Sequence, residues 1–205
     1  MTSAFVTLGA VLLGWFLGQG ATLLRQWRDR RRIVKALTEE LLDCESYVRR
    51  NLINSELLIQ AIEVKAFLGF APILVPQTVF DRYYGDIVMW LTRGERMSFA
   101  AIHARLKQMN GMCEQIVDKL SRREIDEKAF TSFSELAAAF HTTAKVTLQM
   151  IIFHRRHRRK INPWAQDTAE AKRMENEFMA EVVKLRMEAS RIGYEGVKKK
   201  ILAHE

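Results

Sequence analysis

Twenty-one consecutive residues, Ala4 to Leu24, carry no charge and no proline, and the chain turns abruptly basic after them. The run reads AFVTLGAVLLGWFLGQGATLL and is followed by RQWRDRRR. As a helix it would reach roughly 32 Å, enough to cross a hydrocarbon core of about 30 Å. A secretory signal peptide places its positive charge before the apolar core, whereas here the charge follows it. A small-x-small pattern at Gly18-Gln19-Gly20 is the one feature that fits cleavage. A core helix of a soluble domain seldom runs this long without a charge. The expectation is a retained transmembrane anchor over residues 1–24.

Charge sets its orientation. Arg25, Arg28, Arg30, Arg31, Arg32 and Lys35 lie just past the apolar run, opposed only by Asp29. Loops rich in Lys and Arg stay on the cytoplasmic side. The expected topology is therefore single-pass in the cytoplasmic (inner) membrane, with the N-terminus outside and the domain in the cytosol. Trp27 falls at the level of an interfacial belt, while Trp15 is too deep for one. The basic stretch 25–35 is expected to meet anionic lipid headgroups, each cation contributing about 1 kcal/mol there.

Within the apolar run, Ala10, Gly14, Gly18 and Thr22 recur every four residues and share one helix face, and Gly14 to Gly18 is a GxxxG. Small residues let two helix backbones approach closely, and packing drives association in lipid. Gln19 borders the stripe and can hydrogen-bond across such an interface. These residues predict a homo-oligomer formed through the membrane helix.

The remaining residues, about 180 of them, suit one domain with a real core. Of the 205 residues, 48% are hydrophobic and 27% charged, which argues for a globular chain rather than a disordered one. With only three prolines, turn signals are few and the elements must be few and long. The net charge of +8 is concentrated in two places. Residues 25–35 hold six basic side chains and one acidic one, and Arg155, Arg156, Arg158, Arg159 and Lys160 form the second cluster. The rest of the chain is close to neutral, so the high pI reports two local patches. Cys44 and Cys113 stand alone, in no CxxC or zinc-like spacing, and read as reduced, buried thiols.

Helical spacing dominates the sequence after the anchor. Ile33, Leu37, Leu41, Cys44, Val48 and Leu52 make one apolar stripe. Pro72 and Pro76 break the chain. Val79, Phe80, Tyr83, Tyr84, Ile87, Val88 and Leu91 make a second stripe. A third begins after Ser98, read as its N-cap, and holds Phe99, Ile102, Leu106, Met109, Cys113, Ile116 and Leu120. Ser132 to Glu135 matches a capping box for a helix carrying Leu136, Phe140, Ala144, Leu148 and Ile151. Asn162-Pro163 reads as N-cap and first residue of a last long helix. Its apolar positions, Ala171, Met174, Phe178, Val182, Leu185, Ala189 and Ile192, approach a coiled-coil seam until Gly193 and Gly196 interrupt it. No segment alternates with period two. The predicted fold is all-α: an N-terminal transmembrane helix, then an antiparallel bundle of four to five helices with a long C-terminal helix. Residues 36–160 are assigned to the bundle and 161–205 to a C-terminal helical arm packed on it.

Reactive constellations are scarce. No Glu has a His three residues later, as a di-iron bundle needs, and no HExxH, G-x-S-x-G or phosphate-cradling glycine loop occurs. No metal site and no cofactor is expected. Arg96 and His103, with six residues between them, are the candidate catalytic pair; the spacing resembles the Arg-x4–6-His motif of HEPN-type helical ribonucleases. The resemblance covers eight residues and implies His and Arg acting on the RNA 2′-hydroxyl and phosphate. Met97 departs from the polar residue that family usually places after the Arg. The basic segment 154–160 can lie back on the membrane, neutralise nucleic-acid phosphates, or stand in solvent as a helix end whose cations complement the dipole. No interleaved aromatic platform supports nucleic-acid reading, so nucleic acid is not the expected partner. The leading expectation is a membrane-anchored interaction protein, an adaptor or scaffold without catalysis, that self-associates and can bind a protein partner. The alternatives are a membrane-perturbing effector or toxin of a defence-like system and a membrane-tethered ribonuclease.

Overall fold

A computed structural model describes the backbone of residues 2–66, 71–122, 127–165 and 169–203, and the side chains of 13–66, 71–121, 130–165 and 169–203. Among these residues every regular element is helical. Five α-helices follow in order: α1 (Thr2–Glu63), α2 (Thr78–Ile87), α3 (Arg93–Arg122), α4 (Glu127–Arg156) and α5 (Ala169–Leu202). Single 3-10 turns occupy Val88–Trp90 and Pro163–Ala165.

The basic stretch causes no break in α1. Its 62 residues span about 93 Å. Residues 25–63 contain neither Gly nor Pro, so nothing interrupts the hydrogen-bond ladder. The helix ends in a Schellman arrangement. Lys65 takes the left-handed conformation (φ 55°), and the Ala66 and Lys65 amides donate to the Ala61 and Ile62 carbonyls at 2.8 and 3.0 Å.

The second half of α1 is the spine of the bundle. Its predicted stripe faces inward, with Leu37, Leu41, Cys44, Val48 and Leu52 buried. They meet Phe99, Ile102, Leu106, Met109, Cys113 and Ile116 of α3, and Phe133, Ala137, Phe140, Ala144 and Ile151 of α4, in one core. Burying each large side chain contributes about 1.5–3 kcal/mol. Helix α4 runs antiparallel to α1: Ser55 meets His141, whereas Glu45, further back along α1, meets Arg155. Helix α5 runs antiparallel to α4, through Arg186 to Ser134 (2.8 Å) and Lys145 to Glu181 (2.7 Å).

Two prolines and two asparagines bear on the segment before α2, residues 71–77. Asn51 of α1 bonds both the N–H and the C=O of Ile73, each at 2.7 Å, and Asn110 of α3 does the same for Val75 at 2.8 and 2.9 Å. Side chains of two helices thus satisfy the backbone groups of Ile73 and Val75. The Glu40 carboxylate then accepts from the Val79 and Phe80 amides at 2.6 and 2.9 Å, capping α2 from another helix.

Several boundaries differ from the sequence expectation. Helix α3 starts at Arg93, not after Ser98, because Thr92 and Glu95 form a reciprocal capping box. Helix α4 starts at Glu127, ahead of Ser132. Pro163 opens a 3-10 turn, and α5 is described from Ala169. At Gly193 (φ 68°, ψ −175°) α5 breaks and folds back, so that Lys200 reaches Glu188 at 2.8 Å. The heptad-like positions Phe178 and Val182 are buried in the core of the same chain, and Ala189 packs with Leu57, Ala61, Val197 and Ile201.

One helical stretch among the described residues, Phe130–Arg156, is long and apolar enough to cross a membrane, and 61% of its apolar window is buried inside the bundle. The described part of the N-terminal apolar run is uncovered, with Leu13 63%, Phe16 65%, Leu17 67% and Leu23 65% exposed.

Candidate functional site

The two basic clusters of the sequence converge at one end of the bundle. Helix α4 brings the second cluster back toward the first, and three contacts lock the turn that carries it. Arg155 pairs with buried Glu45 at 2.9 Å, and Arg49 holds the other carboxylate oxygen at 2.7 Å. Arg158 pairs with buried Glu95 at 2.7 Å. Asn162, fully buried, donates to Met150 O at 3.0 Å and Ser98 Oγ at 3.2 Å. Burial pushes the Glu95 carboxyl up, but the Thr92 amide and hydroxyl and the Arg158 guanidinium outweigh it and hold it below the usual range.

Between the clusters lies a cleft of about 680 Å³, lined by Trp27, Arg30, Arg31, Lys35, Trp90 and Arg158, together with Val34 and Thr38. Among the described residues no carboxylate lines it. The Arg30 guanidinium stacks over the Trp90 ring at 3.5 Å, and that of Arg31 over Trp27 at 3.8 Å. Stacking occupies a guanidinium face and leaves its edge N–H donors available. Lys35 makes a loose, exposed pair with Glu39 at 3.5 Å. Trp90 is 61% exposed on the 3-10 turn after α2, next to Met89, 80% exposed.

The other cations expected at headgroups are placed differently. Arg25, Arg28 and Arg32 lie on another face of α1, together with Asp29. Arg156, Arg159 and Lys160 are exposed at the end of α4 and on the turn after it. Of the expected packing stripe, Gly14, Gly18, Gln19 and Thr22 are exposed, and Thr22 Oγ1 donates to Gly18 O at 2.9 Å within the helix. Ala10 lies outside the residues whose side chains are described.

Arg96 and His103 do not assemble an open site. They sit on α3 about 10 Å apart along its axis. His103 is 2% exposed, stacks on Phe80 with ring centres 3.6 Å apart, and has Nδ1 3.0 Å from the Gln77 amide. Burial lowers its pKa to about 3, leaving a neutral core imidazole. On α4, buried His141 hydrogen-bonds Ser55 at 2.8 Å, and Lys145, one turn later, pairs with Glu181 at 2.7 Å. Burial pushes the Cys44 thiol up to about 12 and raises Cys113, which keeps both protonated. Among the described residues no three His, Cys, Asp or Glu side chains are grouped to hold a metal ion.

Trp90 and the buried acids Glu45 and Glu95 do not stand out in the sequence reading. The Met89-Trp90 pair, placed after an amphipathic stripe and before Arg93-Gly94, is the one signal in the sequence for the first of them. No family model matches the chain, no curated protein is similar to it in sequence, and no solved structure matches it.

Proposed function

We propose that this protein is a membrane-anchored helical interaction module. The apolar first third of α1 crosses the cytoplasmic membrane once, and the bundle stands on its cytosolic side. The observation that carries this reading is the uncovered apolar surface from Leu13 to Leu24, continuous in one helix with the basic stretch and the bundle. An exposed apolar helix face of this length is stable only when lipid or protein covers it. The basic, Trp-flanked end of the bundle then lies at headgroup depth, with Arg25 to Lys35 on the cytoplasmic side. Function by binding fits the placement of His103, His141 and both thiols in packed interiors.

Membrane fractionation with alkaline carbonate extraction tests the anchor, and protease protection of tags at each terminus tests its direction. Retention in the carbonate pellet, with a C-terminal tag open to protease only from the cytosolic side, is the expected outcome. Release into the carbonate supernatant overturns the reading.

A further inference from the structure

We propose that the cleft between Trp27 and Trp90 is a binding site for the phosphate of an anionic lipid headgroup. This rests on the membrane reading above, which sets the cleft at headgroup depth. The specific observation is convergence: Arg30, Arg31 and Lys35 of α1 face Arg158, on the turn after α4, across one cavity. Arg30 and Arg31 have no acid partner among the described residues, and cations gathered in one cleft repel each other unless an anion joins them. Glu95 already serves Arg158 and the capping of α3, and the pair of Lys35 with Glu39 is loose and exposed. Trp27 and Trp90 hold Arg31 and Arg30 by their faces, which orders the guanidinium groups while their edges stay open for paired N–H···O bonds to phosphate oxygens. The exposed indoles of Trp27 and Trp90 suit the interface, where one side of a ring meets acyl chain and the other meets water.

The test uses the full chain in an uncharged maltoside detergent, with bound molecules counted by native mass spectrometry. The probes are dioctanoyl phosphatidic acid, dioctanoyl phosphatidylcholine, inorganic phosphate and a single-stranded RNA oligonucleotide. One phosphatidic acid should bind per chain at saturation, roughly tenfold or more tighter than phosphatidylcholine or inorganic phosphate. Arg30→Gln and Arg31→Gln should each weaken it about fivefold. The pair Arg25→Gln and Arg28→Gln, on another face, should change it less than about twofold. Among the described residues neither Arg30 nor Arg31 is paired with an acid of the bundle, so these variants keep the fold, which circular dichroism checks.

Non-saturating uptake, or equal loss from the Arg25/Arg28 pair, overturns the proposal and leaves only a diffuse charged surface. Inorganic phosphate binding as tightly as the lipid overturns the lipid assignment in favour of a free phosphate. Tighter binding of the RNA overturns it in favour of nucleic acid. A chain that carbonate retains but that takes up no lipid defeats this inference alone, whereas a chain that carbonate releases defeats the anchor.

Discussion

Gly94, in the first turn of α3, packs directly on the peptide carbonyl of Arg159, so closely that a methyl group on its Cα would stand 2.7 Å from the next carbonyl, that of Lys160. Backbone meets backbone there, and neither side can move without disturbing the turn that presents the second basic cluster. Gly94→Ala should destabilise the protein by about 1–3 kcal/mol, the usual cost of overpacking. Gly111, in the middle of the same helix, has open space where its Cβ would stand. Gly111→Ala should stabilise by up to about 1 kcal/mol. Urea unfolding of the two variants in detergent, followed by circular dichroism, checks the opposite signs.

Acid should weaken the fold early. Burial lowers His103 to about 3 and His141 and His154 to about 4, against about 6.5 in an unfolded chain. Between those values the unfolded chain holds more protons than the folded one, so stability falls as pH drops from about 6.5 to about 4. Glu40 and Glu56, raised by burial, act in the opposite direction at the lower end. Both ring nitrogens of His154 are buried without a hydrogen-bond partner. His154→Leu should therefore flatten the acid slope by about a third without lowering stability at about pH 7. Thermal midpoints measured from about pH 4 to about pH 8 decide this, and an unchanged slope refutes it.

Gly193 holds a backbone conformation that side chains resist. Gly193→Ala should cost about 1–3 kcal/mol locally and release the terminal segment that carries Val197 and Ile201. Limited proteolysis should then cut after Gly193 faster than in the parent chain, while the core formed by α1, α3 and α4 resists.

Gly14 and Gly18 offer the test of the self-association expected from the sequence. Under the membrane reading, replacing both by Leu removes the close backbone approach of a helix pair. The expected result is a smaller complex by light scattering in detergent. An unchanged mass would remove this face from consideration.

The interior of the bundle is legible in the sequence because it repeats. Leu37 to Leu52 on α1 and Phe99 to Ile116 on α3 follow the helical period, and the apolar residues at that period are the core. What the sequence hides depends on pairs far apart in the chain. Glu40, Glu45 and Glu95 carry no local sequence signal for burial, yet each is buried because amides or guanidinium groups from other segments meet it. Thr92 displaces Ser98 as the cap because Glu95 stands three residues after it, a spacing that the sequence does display. The cleft combines both kinds of residue: Arg30, Arg31 and Arg158 stand out by charge, while their meeting around Trp90 follows from the antiparallel course of α4.

The unbroken course of α1 makes it a shaft. No glycine or proline between residues 25 and 63 offers a pivot, so a turn of the apolar third about its axis must turn the bundle by the same angle. Inserting one residue between Leu24 and Ile33 would swing one part against the other by about 100° and lengthen their separation by about 1.5 Å. The azimuth of the cleft relative to the Gly14/Gly18 face is thus written into the residue count of a single helix.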